Sequence, residues 1–341
     1  LYYSTDNAAT WNLLKSTATG LRYSWKNIPR PTSAQCLVKV VQTGGRVGQV
    51  IDWERAYGGS KVDIARSVDQ TSDGGYLVAG YTASSDGDVN TVTGGDDYWI
   101  LKLSSSGQIE KSYVYQGSKS DNAKCARQTF DGGYIVVGYS QSNDNNVPGN
   151  KGKTDYWIVK FHVDGGIEWK KTLGGKNEDY AESIQQTADS GYIVCGFTSS
   201  VDGDITENKG GFDYWVIKLS KTGVVEWQKT YGGEGDDQAF CVVQTTDGGY
   251  AIAGQTASLT GDVTGTKGSS DAWIVKLASD GTIEWQKTFG GSVADNTNSI
   301  EQTTDGGYIV SGNTSSNDGD VTGAKGANDY WVLKLTAQGN L

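Results

Sequence analysis

The chain has 341 residues, with 48 Gly, 11 Trp, 19 Tyr, 6 Phe, 3 Pro, 4 Cys and no Met. Glycine is about twice as frequent as usual, and the aromatic content is enough for a sizeable core, which excludes a disordered chain. A net charge of −11 argues against nucleic acid, whose phosphates require clustered Lys and Arg, and no run approaches the ~20 apolar residues of a membrane-inserted helix. His162 is the one histidine, so a Ser-His-Asp triad or Cys-His pair would have to use it. No HExxH, CxxC or Walker sequence occurs. The chain opens at Leu1 rather than Met, as expected of a mature product or a piece of a longer protein.

Residues 1–45 read as short strands: a hairpin over Tyr2 to Trp11, then Tyr23-Ser-Trp25 and Cys36-Leu-Val-Lys-Val-Val41. Pro29 and Pro31 lie between the last two, and the segment is short for an independent domain. The pattern Tyr-Ser-x-Asp-x-x-x-Thr-Trp, Tyr-x-Trp and Ser-x-x-Cys-Leu-Val-x-Val resembles the second half of an immunoglobulin-like or fibronectin-like sandwich of bacterial surface proteins. That resemblance implies a partial β module over 1–45, followed by a Gly-rich linker over 46–50.

From residue 51 the chain repeats with a period of 58 residues and no insertion or deletion. Trp99-Ile-Leu-Lys-Leu103 recurs at Trp157, Trp215, Trp273 and Trp331. Asp73-Gly-Gly-Tyr76 recurs at Asp131, Asp189, Asp247 and Asp305, with Ser190 replacing a Gly in the third copy. Trp169-Lys-Lys-Thr-Leu-Gly-Gly175 recurs at Trp227 and Trp285, and more loosely at Trp53. Each unit predicts four strands, as in Ser183–Thr187, Tyr192–Phe197, Tyr214–Leu219 and Val225–Tyr231, separated by Gly turns. Strands two and three are apolar on successive residues, so both faces of each sheet should be covered. Four antiparallel strands per repeat is the pattern of a β-propeller blade. The fold expected is therefore all-β: a five-bladed β-propeller over 51–341, preceded by a partial β-sandwich module. Leu341 lies in the same phase as Ile51, so residues 51–57 should supply the fourth strand of the last blade and close the ring; a longer array is the alternative.

The recurring charges are candidates for either architecture or binding. Asp63, Asp121, Asp179, Asp237 and Asp295 share one phase, and Lys102, Lys160, Lys218, Lys276 and Lys334 another. A charge present in every blade cannot form one unique catalytic site; Asp can cap turns or pair with Lys between blades. The sharpest candidates are the loops between strands two and three. Asp86-Gly-Asp88, Asp202-Gly-Asp204 and Asp318-Gly-Asp320 are each followed by a further acid at Asp97, Asp213 and Asp329. Three acids on a Gly-bent loop are a candidate Ca²⁺ site, although the spacing is not that of an EF-hand. Blade two has Asn146 in place of the second acid and blade four Thr260 in place of the first. Solvated Asx turns would give the same composition. Cys125, Cys195 and Cys241 stand where other repeats have small strand residues and are expected as free thiols. His162 falls in a turn and should be exposed. The five Trp of strand three should be core.

The blocks Gln-Thr-x-Asp-Gly-Gly-Tyr-Ile-Val-x-Gly and Asp-Tyr-Trp-Ile-Val-Lys-Leu resemble the propeller repeats of large secreted surface proteins of Bacteroidota-type bacteria, often exported by type IX secretion together with Ig-like modules. The resemblance implies an extracellular or cell-surface setting, other domains of a longer parent protein as partners, and a structural or adhesive role without catalytic residues. A lectin-like module binding a surface glycan, or one binding a protein, is the alternative. A glycosidase is a third reading, needing unequal acids around a central channel.

Overall fold

The computed structural model describes residues 2–4, 12–13, 37–39, 52–89, 94–144 and 146–341. They divide into two units, Leu1–Asp52 and Trp53–Leu341. In the first, β1 (Tyr2–Ser4) pairs antiparallel with both β2 (Asn12–Leu13) and β3 (Leu37–Lys39). Trp11, Trp25, Cys36, the 46–50 linker and Ile51 lie outside the described residues.

The second unit is five antiparallel sheets in strict phase, the blades of a β-propeller-type array. Blade one is β4 (Asp63–Gln70), β5 (Tyr76–Thr82), β6 (Asp97–Leu103) and β7 (Ile109–Tyr115). Blade two is β8 (Asp121–Gln128), β9 (Tyr134–Ser140), β10 (Asp155–Phe161) and β11 (Ile167–Leu173). Blade three is β12 (Asp179–Gln186), β13 (Tyr192–Thr198), β14 (Asp213–Leu219) and β15 (Val225–Tyr231). Blade four is β16 (Asp237–Gln244), β17 (Tyr250–Thr256), β18 (Asp271–Leu277) and β19 (Ile283–Phe289). Blade five is β20 (Asp295–Gln302), β21 (Tyr308–Thr314) and β22 (Asp329–Leu335). In blades one to four the four strands are hydrogen-bonded in sequence order, and in blade five the three strands are. Among the described residues no helix is long and apolar enough to cross a membrane.

Local chemistry explains the strand boundaries. In the Asp-Gly-Gly turn of blade one, Gly74 takes a φ of 82°, a region that costs Gly little. Asp73 Oδ1 accepts from the Gly75 amide at 3.0 Å and the Thr71 hydroxyl at 2.6 Å. The same bonds recur in the other four turns. First strands run four residues further upstream than the sequence implies, because Asp63 and its equivalents begin the strand while bonding the turn before it.

First strands of neighbouring blades lie against one another and fourth strands do not, so first strands line the axis and fourth strands form the rim. Strands two and three pack on both faces, as their unbroken apolar character implies; β10, β13, β14 and β18 are buried at every position. Trp99, Trp157, Trp215, Trp273 and Trp331 are core, none more than 8% exposed. Tyr98 stacks on Trp157 and donates to its carbonyl at 2.9 Å across the blade boundary, and Tyr156 does the same to Trp215 at 3.1 Å.

Among the described residues the expected closing ladder is absent: β22 pairs with β21 and with no other described strand, so blade five shows three strands. Residues 53–57 form no strand ladder. Instead Trp53 packs edge-on against Tyr76 and donates its indole N–H to Ser105 O at 3.0 Å, and Tyr57 Oη reaches Gly107 O at 2.6 Å. Trp169 and Trp227 make the same rim contacts with their next blades, to Lys221 O and Ser279 O. The segment is thus seated on blade one as β11 and β15 are on their next blades, without the ladder those strands make to their own third strands.

Candidate functional site

The Asp-rich loops are built at one end of the blades, where the chain passes from strand two to strand three and from one blade to the next. Eight of the nine acids each face an amide of their own. Asp86, Asp202 and Asp318 accept through Oδ1 from the amides of Ser60, Lys176 and Ser292 at 2.8, 2.9 and 2.7 Å. Asp88, Asp204 and Asp320 accept through Oδ2 from the amides of Gly58, Gly174 and Gly290 at 3.0, 2.9 and 3.1 Å. Asp213 and Asp329 cap the turns before their strands, on the amides of Lys209 and Lys325, while Asp97 is buried. The Lys176 ammonium and amide hold Asp202 below the usual carboxylate range, and backbone amides do so for Asp86 and Asp318. The nine acids are therefore not gathered on single centres, and among the described residues no group of three or more His, Cys, Asp or Glu is placed to hold a metal ion. Blades two and four keep the acid whose amide needs it: Asp144 receives Ser118 N at 2.8 Å, and Asp262 receives Gly232 N at 3.1 Å.

What the fold brings together instead lies across blade boundaries. Asp155 Oδ1 and Asp179 Oδ2 approach within 2.6 and 2.7 Å of the point where a Cβ on Gly174 would stand. Asp213 and Asp237 meet at Gly232, and Asp271 and Asp295 at Gly290. All six acids are fully buried. Asp179 accepts from the Gly175 amide at 2.8 Å and from the Ser200 and Thr198 hydroxyls. Asp155 accepts from the Lys151 amide through Oδ2, while its Oδ1 has no hydrogen-bond partner. Burial, opposed by that amide and reinforced by the Asp179 charge, pushes Asp155 up to about 7; Asp213 rises to about 6 for the same reasons. Such a pair therefore holds a proton to higher pH than a free carboxylate does. Lys151, Lys209 and Lys267 pair across the boundary with Asp204, Asp262 and Asp320, outside these buried pairs.

The strand-three lysines have another role. Lys160 Nζ reaches Asp131 at 3.0 Å, Glu168 at 2.9 Å and Phe161 O at 3.0 Å, tying the Asp-Gly-Gly turn to the fourth strand of its own blade. Cys125, Cys195 and Cys241 are free thiols. His162 sits in a turn, exposed.

The repeat is abandoned at the axis. Every first strand carries a register shift at one position, between Ala65 and Ser67 in blade one and at the matching places in the other four. The extra residue of such a bulge is re-aimed. At this position stand Arg66, Lys124, Glu182, Phe240 and Asn298, different in every blade. Lys124 Nζ bonds both Glu182 oxygens at 2.7 and 3.0 Å and lies 5.5 Å from the Tyr139 ring centre; Arg66 lies over Tyr81. Burial pushes Glu182 up and Lys124 opposes it. A run of half-buried and buried rings continues from Tyr139 to Tyr180, Phe197, Phe212 and Phe240, with centroids 4.8 to 6.3 Å apart. This constellation offers aromatic faces, an ion pair and, in blades four and five, the amides Gln238, Gln255, Asn296 and Asn313 at the matching positions. Its signal in the sequence is a column that differs in every blade, as does the column of Asp69, Arg127, Gln185, Val243 and Glu301.

No protein-family model matches the chain, and no curated protein matches it. Among solved structures, a Bacteroides caccae protein of unknown function is similar at 12% identity and a TM-score of 0.46, over 81% of this chain and 79% of that one. A levansucrase from B. megaterium is similar at 10% identity and a TM-score of 0.38, over 81% and 86%. A xylan beta-1,4-xylosidase from Bacillus Halodurans is similar at 12% identity and a TM-score of 0.36, over 80% and 53%.

Proposed function

We propose that the chain is a non-enzymatic binding module, structural or adhesive in role, that works outside the cell or at its surface as part of a longer protein. The observation that carries this reading is the division of labour along the repeat. The strand-three Trp, the strand-three Lys and the Asp of the Asp-Gly-Gly turn are the same in all five blades, whereas the bulged axial column, Arg66, Lys124, Glu182, Phe240 and Asn298, differs in each. Scaffold positions need the same chemistry in every blade; a ligand with one identity needs different chemistry from each. The extracellular setting rests on the resemblance of the repeats to secreted surface propellers.

A surface glycan is the ligand class this axial chemistry fits. Aromatic rings stack on the apolar faces of sugars, while amides and charges bond their hydroxyls. The one carboxylate of the column, Glu182, is engaged by Lys124 at 2.7 Å, which suits hydrogen bonding more than the acid and nucleophile pair of a glycosidase. A glycan-array screen of the wild type and Tyr180→Ala tests the reading. Binding of a defined glycan class, lost in the variant, supports it; no binding across the array, or binding the variant retains, overturns the glycan assignment.

A further inference from the structure

Each blade of this chain has a donor face and an acceptor face. On the donor face, Tyr98, Tyr156 and Tyr214 project from blades one, two and three into the next blade. Their rings lie 4.3, 4.5 and 4.5 Å from Trp157, Trp215 and Trp273, and their hydroxyls donate to the carbonyls of those Trp at 2.9, 3.1 and 3.0 Å. The acceptor face makes room with a glycine: a Cβ on Gly138 or Gly196 would collide with the entering Tyr hydroxyl. Blade four carries Ala272 at the donor position and uses neighbouring contacts alone.

Two such faces are filled by none of the described residues. On blade five Tyr330, in phase with Tyr98, is 99% exposed, Val332 is 61% exposed and Ile309 is exposed, although Tyr98, Tyr156 and Tyr214, Ile158 and Val216, and Ile135 and Ile193 are all buried. On blade one a cavity of about 60 Å³ is lined by Ala65, Val78, Ala79, Gly80, Trp99 and Leu101. These residues are in phase with those that receive Tyr98 in blade two. Ala65 and Val68 are exposed here, where Ala123, Ala181, Ala126 and Ile184 are buried. Lys334 has Asp305 as its carboxylate partner, whereas Lys102, Lys160, Lys218 and Lys276 each also hold a fourth-strand Glu. In sequence phase the missing acid is Asp52.

We propose that the blade-five face of one copy docks on the blade-one face of a second copy, with Tyr330 entering the cavity beside Trp99 and Gly80 and residues 53–57 of the second copy edging β22. The two surfaces are the halves of a contact this chain already makes three times within itself, so each copy carries both and a second copy fits. Its own Tyr330 is in solvent and leaves its own cavity free. The contact is head-to-tail, so it propagates into closed rings or filaments rather than stopping at an isologous pair. It is independent of the axial ligand proposed above.

Sedimentation velocity over a concentration series is the test. Tyr330→Asp removes the donor and leaves the cavity intact; Ala65→Arg fills the cavity mouth and leaves the donor intact. Both sites are exposed, so both variants should melt like the monomeric wild type. The wild type should self-associate, and each variant alone should sediment as a monomer. An equimolar mixture of the two should form a dimer and nothing larger, because one working contact remains. A wild type that stays monomeric, including one whose Tyr330 proves buried by closure of its own ring, overturns the proposal. So do oligomers that survive either variant.

Discussion

The carboxylates of Asp155 and Asp179 face one another across Gly174, although they belong to different blades. The protein therefore buries paired acids at its blade boundaries, and the energetics of those pairs set how the fold responds to pH. Asp155 titrates near 7, and Asp121 and Asp213 near 6, against about 3.9 in an unfolded chain. Folded-state pKa values above the unfolded ones mean that the folded chain binds more protons between about pH 4 and 7, so stability falls as pH rises through that window. At Asp131, Asp189 and Asp247, by contrast, hydrogen bonds and the strand-three lysines outweigh burial and hold the pKa near 2. Their contribution is present above about pH 4 and is lost as pH falls toward 2. The melting temperature should peak between about pH 4 and 5. Asp155→Asn, which keeps the shape and removes one titration, should flatten the decline between pH 5 and 7.5. A melting temperature that rises steadily to pH 8 would contradict this.

Ser190 is the non-Gly residue with a left-handed backbone among the described residues, at φ 68°, in the turn where the other blades have Gly. An L side chain in that region costs about 1–2 kcal/mol. Ser190→Gly should stabilise the chain by about 1 kcal/mol in denaturant unfolding. No gain would mean that the Ser side chain compensates.

Trp215 is buried beneath Tyr156 at a blade boundary. Trp215→Ala should cost about 3–5 kcal/mol. Tyr156→Phe removes only the bond to the Trp215 carbonyl and should cost about 1–2 kcal/mol. Similar losses for the two variants would indicate that the hydroxyl, not the ring packing, holds the boundary.

The Ca²⁺ expectation for the loop acids has a direct thermal test. Because Asp86, Asp202 and Asp318 and their neighbours each bond an amide, excess EDTA should leave the melting temperature unchanged, and added Ca²⁺ should not raise it. A ligand that binds only the folded state must raise it, so a shift of several degrees would show that the loops reorganise around an ion.

The fold was legible because the 58-residue phase carries no insertion. Each Trp of strand three and each Asp-Gly-Gly turn then had four copies to confirm its role, and the burial of Trp157, Trp215 and Trp273 followed. The acids were harder. Asp202, Asp204 and Asp213 are close in sequence, but Asp213 begins a strand whose end faces the next blade, so its neighbour in space is Asp237. Chain spacing cannot show a contact made between repeats. The axial column escaped for the opposite reason: Arg66, Lys124, Glu182, Phe240 and Asn298 do not recur, and the bulge that re-aims them leaves no mark in the sequence. Closure by residues 51–57 was expected from phase alone and has no ladder among the described residues, whereas the hold of Trp53 and Tyr57 on blade one is side-chain chemistry that phase does not show.

The central claim is that ligand recognition resides in the non-recurring axial side chains. Calorimetric titration of a glycan bound by the wild type, against Tyr180→Ala, Phe240→Ala and the exposed turn variant Lys221→Ala, tests it most directly. Loss of one stacking ring should weaken binding about tenfold, on the order of 1–2 kcal/mol, in both axial variants and leave Lys221→Ala at wild-type affinity. Wild-type affinity in both axial variants, or loss at Lys221, would contradict the account.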